Sequence, residues 1–215
     1  MTSGTYPLFD KLTGDYAFYR EQSDLMTKVF PEGQRILSLG DGFGNVSRML
    51  ATRCSVVDVD IDNEACRYIR KKDGKIAVVR GNVHYLPFAD SAFDGAVCPS
   101  NFGVFQERKF LYETARVLRI GALLSVTGFN REKMQGVSVK NILPELERRA
   151  RRVLSEEELW ILPLYLEGVR ERFECMNLEP SIGEVMSLLK SAGFSIQDTS
   201  SFHRGYNWHA VAERK

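Results

Sequence analysis

The four cysteines, Cys54, Cys66, Cys98 and Cys175, contain no Cys-x-x-Cys pair, and their spacings fit no zinc module. That excludes a disulfide framework or metal scaffold and leaves reduced, mostly buried thiols. No metal is expected. No apolar run approaches the ~20 residues that a membrane helix needs. The first residues, Met1-Thr-Ser-Gly-Thr-Tyr-Pro7, lack the basic and apolar regions of a secretory signal. Internal repeats and low-complexity tracts are missing as well. Net charge is also scarce: 29 basic and 28 acidic side chains leave a formal +1, so no global field favours nucleic acid or a membrane surface. What is present is ordinary for a soluble, cytoplasmic globular chain: 44% hydrophobic and 27% charged residues. The 215 residues suffice for one domain with a proper core, and exceed a ~150-residue allowance by enough to accommodate an insertion.

From Gln34 onward, apolar β-type runs alternate with stretches of helical period. Arg35–Leu39, Ser55–Val59, Lys75–Val79, Phe93–Cys98 and Ala122–Thr127 read as five strands. Helices are expected over Asn45–Arg53, Asn63–Lys72 (capped by Asp62) and Glu107–Arg119, the last stopping at Gly121. Helices of this length between strands imply crossover units and a parallel sheet. The terminal runs Phe194–Asp198 and Asn207–Glu213 are joined by a short link, which favours an antiparallel hairpin at one edge. The fold class is therefore α/β: a Rossmann-like, doubly wound, mostly parallel sheet with an antiparallel terminal edge strand and a helical insertion after the fifth strand.

The expected organisation is a single domain: an N-terminal helical cap (1–33) with an amphipathic helix over Tyr16–Phe30, a cofactor-binding core (34–129), a helical lid or substrate insertion (130–180) and a C-terminal helix with strands (181–215). In the insertion, Asn141–Leu154 is helical, and Ser155-Glu-Glu-Glu158 is a capping box opening a second helix that Pro163 kinks or interrupts. A second box, Ser181-Ile-Gly-Glu184, opens the last helix. Residues 131–152 carry a local charge of +4 and residues 155–184 one of −6, which suits either a solvated helix pair or a substrate-contacting insertion.

The informative segment is Leu37-Ser-Leu-Gly40-Asp41-Gly42-Phe43-Gly44-Asn45. Glycines at the end of a first strand and the mouth of a helix let a ligand approach the backbone. The order is G-x-G-x-G, with Asn45 where the third glycine of a dinucleotide fingerprint falls, which weakens a pyrophosphate reading and with it a nicotinamide dehydrogenase. Asp60 stands at the end of the second strand, where a carboxylate accepts both ribose hydroxyls of an adenosine ligand; Asp62 is the better cap, which frees Asp60 for that role. Together these features place a nucleoside outside the carboxyl edge of the sheet.

The sequence resembles the class I S-adenosylmethionine-dependent methyltransferases. Leu37–Gly44 is similar to their glycine motif and Val57-Asp-Val-Asp60-Ile-Asp62 to their acidic second-strand motif. Gly81-Asn-Val-His-Tyr-Leu-Pro-Phe88, followed by Phe93-Asp94, looks like the loop and fourth strand of the ubiquinone/menaquinone-biosynthesis-type subgroup. Glu113–Gly121 and Ala192-Gly-Phe194 resemble its later signatures. The resemblance implies S-adenosylmethionine as cofactor. By it, Gly40, Asp41, Gly42 and Gly44 line the methionine part, Asp60 holds the ribose, Ile61 flanks the adenine, and Asn82 with Val83 reads its edge. Tyr16, Tyr19 and Arg20 are candidates to close over the cofactor, with packing on the amphipathic helix face the alternative account of Tyr19. Three positions depart from the pattern: Asn82 replaces a frequent Asp but keeps an acceptor oxygen, Asp58 stands where Gly is usual, and Ile120-Gly121-Ala122 replaces a Pro-Gly-Gly turn.

The implied activity is in-line methyl transfer to a small-molecule acceptor, which needs a nucleophile held near the methyl in a site that excludes water. A base is needed only if the nucleophile must lose a proton. His203 and Tyr206, then His209 and His84, are the candidates, with packing or capping an equal account of each. Trp160, Leu164, Tyr165 and Phe173 suggest an apolar or aromatic acceptor. Two alternatives stand beside this: a nucleic-acid (RNA) methyltransferase using Arg148, Arg149, Arg151 and Arg152 against phosphates, and a cofactor-binding module without transferase activity.

Overall fold

The computed structural model describes residues 5–13, 17–102, 105, 107–135, 137–176 and 180–215. In chain order the elements are α1 (Thr5–Thr13), α2 (Ala17–Thr27), β1 (Arg35–Leu39), α3 (Asn45–Leu50), β2 (Ser55–Asp60), α4 (Asn63–Lys72), β3 (Ala77–Arg80) and β4 (Phe93–Cys98). There follow α5 (Glu107–Val117), β5 (Leu118–Phe129), α6 (Arg131–Met134), α7 (Val139–Val153), a 3-10 turn (Glu156–Ile161), α8 (Leu162–Met176), α9 (Ile182–Ser191), β6 (Phe194–Phe202) and β7 (Asn207–Arg214).

The seven strands lie in the order β3-β2-β1-β4-β5-β7-β6. The pairs among β1 to β5 are parallel, and β7 runs antiparallel to both of its neighbours. After β3 the chain returns across the sheet to place β4 on the free side of β1. The topological switch point, where ligands of open α/β sheets bind, is therefore the crevice beyond the ends of β1 and β4. Strands β1, β2 and β4 are buried over almost their whole length, as parallel strands covered on both faces must be. Their side chains alternate between two cores. Leu37, Leu39, Val57 and Val59 join Phe110, Leu189 and Trp208 on one face, while Ile36 and Val56 join Met26, Phe30 and Ile69 on the other. A third cluster lies apart from both: Phe9 and Leu12 of α1 packed with Ala150, Leu154, Ile161 and Tyr165.

The doubly wound sheet, the caps of α4 and α9 and the terminal antiparallel hairpin agree with the sequence. Asp62 accepts the Glu64 N–H at 2.8 Å, and both arms of the Ser181–Glu184 box are formed. Several boundaries differ. Within the hairpin it is β6 that holds the sheet edge, because β7 inserts between it and β5. Strand β5 starts at Leu118, so α5 ends before Arg119 and Gly121 lies inside the strand. It is lengthened by pairing with β4 from Leu118 and with β7 as far as Phe129. Strand β6 runs on to Phe202 beyond a bulge between Ile196 and Asp198, again held by β7. The N-terminal helix occupies Ala17–Thr27 rather than 16–30, and α1 precedes it unforeseen; Tyr16 falls outside the described residues. The Ser155 box opens a 3-10 turn that ends at Ile161, and Pro163 stands just beyond it as the second residue of α8, where a missing N–H costs nothing.

Candidate functional site

At the end of β1 the chain turns through Gly40 and Gly42 at φ +73° and +58°. Both conformations suit glycine, and the two positions serve different ends. A Cβ at Gly40 would meet Asn101 Nδ2 at 3.1 Å and Phe105 Cζ at 3.2 Å, so the loop after β4 lies against it. A Cβ at Gly42 would meet nothing within 4 Å. Gly44 instead faces Ile69 of α4, at 3.1 Å from an added Cβ, and serves helix packing.

Asp60, 9% exposed, ends β2. Its Oδ1 accepts the Asp62 N–H at 2.8 Å and its Oδ2 the Gly42 N–H at 3.3 Å. Those bonds steer the carboxylate over the glycine loop and leave half of its acceptor capacity free. Burial raises its pKa, against the lowering effect of these N–H donors. Asp62 also accepts from the Tyr6 hydroxyl at 2.9 Å, which ties α1 to the end of β2; burial, reinforced by that carboxylate, raises the Tyr6 pKa.

Beneath the loop, Ser47 of α3 joins two further carboxylates. Its N–H donates to Asp41 Oδ2 and its hydroxyl to Asp58 Oδ2, both at 2.7 Å. Asp58 is fully buried, and among the described residues its Oδ1 makes no well-formed hydrogen bond; the Ser38 hydroxyl, opposite it in register, is the group placed to lower its pKa slightly. Burial first, and then the charge of Asp41, pushes the Asp58 carboxyl up to about 8; burial alone pushes Asp41 up to about 6. An acid whose folded pKa lies above its unfolded value of about 3.9 holds a proton that unfolding releases, so stability falls as pH rises between about 4 and 8. Asp58→Asn is therefore expected to flatten that fall, and at pH 8.5 to exceed the parent by ~1–3 kcal/mol, about 2–4 °C in Tm per kcal/mol. Calorimetric scans at pH 5 and 8.5 check it, and equal slopes for parent and variant would remove the buried proton.

Over the switch point lies a cavity of about 830 Å3. Gly40, Asp41, Gly42, Asp60 and Ile61 line it, with Asn82 and Val83. Phe18, Tyr19, Phe129, Tyr165, Val169 and Phe173 supply an apolar wall. The structure thus brings together every cofactor residue expected from sequence except Gly44, which is turned to the core. Asn82 departs in detail: its side-chain oxygen accepts the His84 N–H at 2.9 Å and lies 2.8 Å from His84 Nδ1, so it closes its own loop. Ile61, 67% exposed, is available to flank a ligand.

The base candidates separate. His203 and Tyr206 are not among the lining residues: the turn that follows β6 folds back on α2, where His203 N donates to Glu21 at 3.0 Å and its ring meets Phe18 edge-on. His209 is buried in β7, 2.8 Å from Ser125 Oγ, and desolvation pushes it down to about 4, a neutral packing histidine. His84 does line the cavity; burial, and then Lys109, lower its pKa. Of the suggested acceptor contacts Tyr165 and Phe173 line the cavity, whereas Trp160 and Leu164 are half exposed away from it. Arg20 does not reach the lining. In the basic segment, Arg148 pairs with Glu145 at 2.7 Å and Arg151 with Glu147 at 2.8 Å, so two of its four guanidinium groups are engaged within the helix. Sequence reasoning missed Tyr6, Gln22, Ser100, Asn101 and Phe105 of the lining. The signal for two of them, Ser100 and Asn101, was Pro99-Ser-Asn101, which directly follows β4 at the switch point.

The residues present fit an adenosyl group. An acidic side chain with spare acceptor capacity faces the cavity at the end of β2, a glycine loop leaves room beside it, and the volume is in the range of small-molecule sites. Fold and site together define an α/β enzyme that binds a nucleoside-bearing cofactor at the β1/β4 switch point. Residues 36–121 match the family described as a methyltransferase domain. Over 204 residues the chain is 28% identical to the ubiquinone/menaquinone biosynthesis C-methyltransferase of Vibrio cholerae, covering 82% of this chain and 72% of that protein. A structure of a methyltransferase dependent on S-adenosylmethionine from Aquifex aeolicus shares the fold at TM-score 0.66, with 19% identity over 95% of this chain and 97% of that one. So does a chain from the complex between the Haloferax volcanii Trm112 methyltransferase activator and the putative methyltransferase, at TM-score 0.70 and 15% identity, covering 99% and 98%. The protein is a class I S-adenosylmethionine-dependent methyltransferase, similar in sequence to the ubiquinone/menaquinone-biosynthesis type. Among the described residues no helix is long and apolar enough to cross a membrane.

Proposed function

We propose that the enzyme methylates a small, uncharged acceptor with an apolar or aromatic body, held in the same cavity as the cofactor. One observation carries this: the cavity that contains the glycine loop and Asp60 continues into a wall of Phe18, Tyr19, Phe129, Tyr165 and Phe173, and among the described residues its lining holds no Lys or Arg. An anionic acceptor would be desolvated there beside Asp41 and Asp60 with no described cationic side chain of the lining to meet it. In this reading Gly40, Asp41 and Gly42 border the methionine part, Asp60 accepts the ribose hydroxyls, and Ile61, Asn82 and Val83 surround the adenine. Tyr19 closes over the site. S-adenosylmethionine, when bound, supplies a methyl already activated on a sulfonium. The chain's own contribution is to align the acceptor and exclude water.

The cap (1–33) and the insertion (130–180) supply the wall from opposite ends of the chain. Phe18 and Tyr19 come from the first and Tyr165, Val169 and Phe173 from the second, which supports reading both as the acceptor-facing cover. A cytoplasmic location is proposed with it, in keeping with the buried free thiols of Cys66 and Cys98. Calorimetry of the folded chain against S-adenosylhomocysteine tests the cofactor half, and absence of binding would overturn it. For the acceptor, a panel of neutral phenols and their carboxylated analogues, read by S-adenosylhomocysteine release, is expected to show turnover at least ~10-fold faster for the neutral members. Preference for the carboxylates would reject the reading.

A further inference from the structure

Gln22 projects from α2 into the cavity wall and is only 3% exposed. Its Nε2 donates twice, to Ser100 Oγ at 2.5 Å and to Thr127 Oγ1 at 2.7 Å. Thr127 Oγ1 accepts the Ser100 N–H as well, at 3.0 Å, and turns its own proton to Met26 Sδ at 3.7 Å. Thr127 is thus an acceptor toward Gln22, which fixes the amide with its nitrogen to the hydroxyls. Both amide protons are spent. The remaining atom, Oε1, has no protein partner among the described residues. That oxygen is not one of the sealed unpaired atoms of the interior: Gln22 lines the cavity, so a carboxamide oxygen without a protein partner is open there to a ligand's donor.

Its location says which ligand. The cofactor residues come from the ends of β1, β2 and β3: Gly40 to Gly42, Asp60 and Ile61, Asn82 and Val83. The partners that hold Gln22 come from the other side of the switch point, Ser100 just after β4 and Thr127 near the end of β5. The apolar wall leans over that same side through Phe18 and Phe129, whose rings stack at 6.2 Å. The Gln22 amide is thus anchored on the side of the cavity left for the methyl acceptor, with an uncharged acceptor oxygen to offer there.

We infer that Gln22 Oε1 accepts a hydrogen bond from an O–H or N–H of the acceptor substrate, and so selects acceptors that carry such a donor on an apolar body. This rests on the reading that the acceptor occupies the cavity. Gln22 is a substrate-binding and specificity residue: a neutral carboxamide takes up no proton, so it orients the donor group and is no general base. A site that hydrogen-bonds a substrate hydroxyl discriminates strongly against an analogue lacking it, because its own buried polar atom is then left unpaired.

The test uses the full chain saturated with S-adenosylhomocysteine and three probes titrated by saturation-transfer NMR. These are 2-naphthol (a donor), 2-methoxynaphthalene (an acceptor without a donor) and 2-methylnaphthalene (neither). The parent is expected to bind 2-naphthol at least ~10-fold more tightly than the other two. In Gln22→Leu that preference is expected to fall to within about twofold, with hydrocarbon binding kept. Gln22→Met carries the same expectation should the leucine variant not fold. Gln22→Glu, which keeps an acceptor oxygen, is expected to keep the preference. A preference for 2-naphthol that survives in the leucine or methionine variant overturns the inference alone. Failure of all three probes to bind the loaded parent overturns the apolar-acceptor reading and the inference with it. Unchanged S-adenosylhomocysteine affinity in the variants shows that the cofactor half is intact.

Discussion

Asp60→Ala is expected to weaken S-adenosylhomocysteine binding by about 100-fold or more while leaving the chain folded. Two charge-assisted hydrogen bonds to ribose hydroxyls would vanish, each worth ~1.5–3 kcal/mol against the ~1.4 kcal/mol of a tenfold change. The carboxylate also organises its surroundings, since it holds the N–H groups of Gly42 and Asp62 in place. Stability should change little, because a carboxylate whose pKa is raised by burial gives no net charge stabilisation to lose. Calorimetry measures the affinity and a thermal scan the fold. Binding within about threefold of the parent would take Asp60 out of the site.

Gly95→Ala is expected to cost about 3 kcal/mol and to lower Tm by about 6–12 °C. On strand propensity alone alanine would be neutral or better than glycine, so the sign of the effect is the test. Gly95 lies in β4 and pairs with Ile36 of β1 and Leu123 of β5. An added Cβ would stand 2.5 Å from Phe30 Cε1 and 3.1 Å from Ile36 Cδ1. Phe30 is 1% exposed and Ile36 fully buried, so neither ring nor methyl has space to retreat. Phe30→Leu should restore part of the loss in the double variant, a coupling that additive effects would not give. Denaturant titration of the four proteins decides it.

The parts of this molecule legible in the sequence are those whose cause is local. The glycine loop, the acid at the end of β2 and the Asp62 and Ser181 caps each act within a few residues, and each stands where the spacing places it. What the sequence hid depends on distant partners. Strands β5 and β6 run longer than their apolar runs because β7 pairs along both. Helix α1 shows few local signals, and its apolar residues pack against the insertion about 140 residues onward. Gln22 reads as one polar residue on an amphipathic helix until the fold brings it to Ser100, 78 positions away, and Thr127, 105 positions away. His203 and Tyr206 attracted attention by chemistry alone, and the turn that carries them is directed to Phe18 and Glu21 instead of the cavity.

The cover over the site has its own small core. Phe9 and Leu12 pack with Ala150, Leu154, Ile161 and Tyr165, the Phe9 and Tyr165 rings meet at 5.7 Å, and Lys11 pairs with Glu158 at 2.7 Å. None of these residues belongs to either cluster beneath or above the sheet. Phe9 and Tyr165 nonetheless face the cavity. The cover is joined to the scaffold through the Tyr6–Asp62 hydrogen bond and through Phe43 of the glycine loop, which packs against this cluster. The fold is in that sense evolvable: selection can repack the cover away from such joints without altering the two cores of the sheet, whereas a change that reaches Tyr6 or Phe43 is felt at the glycine loop as well.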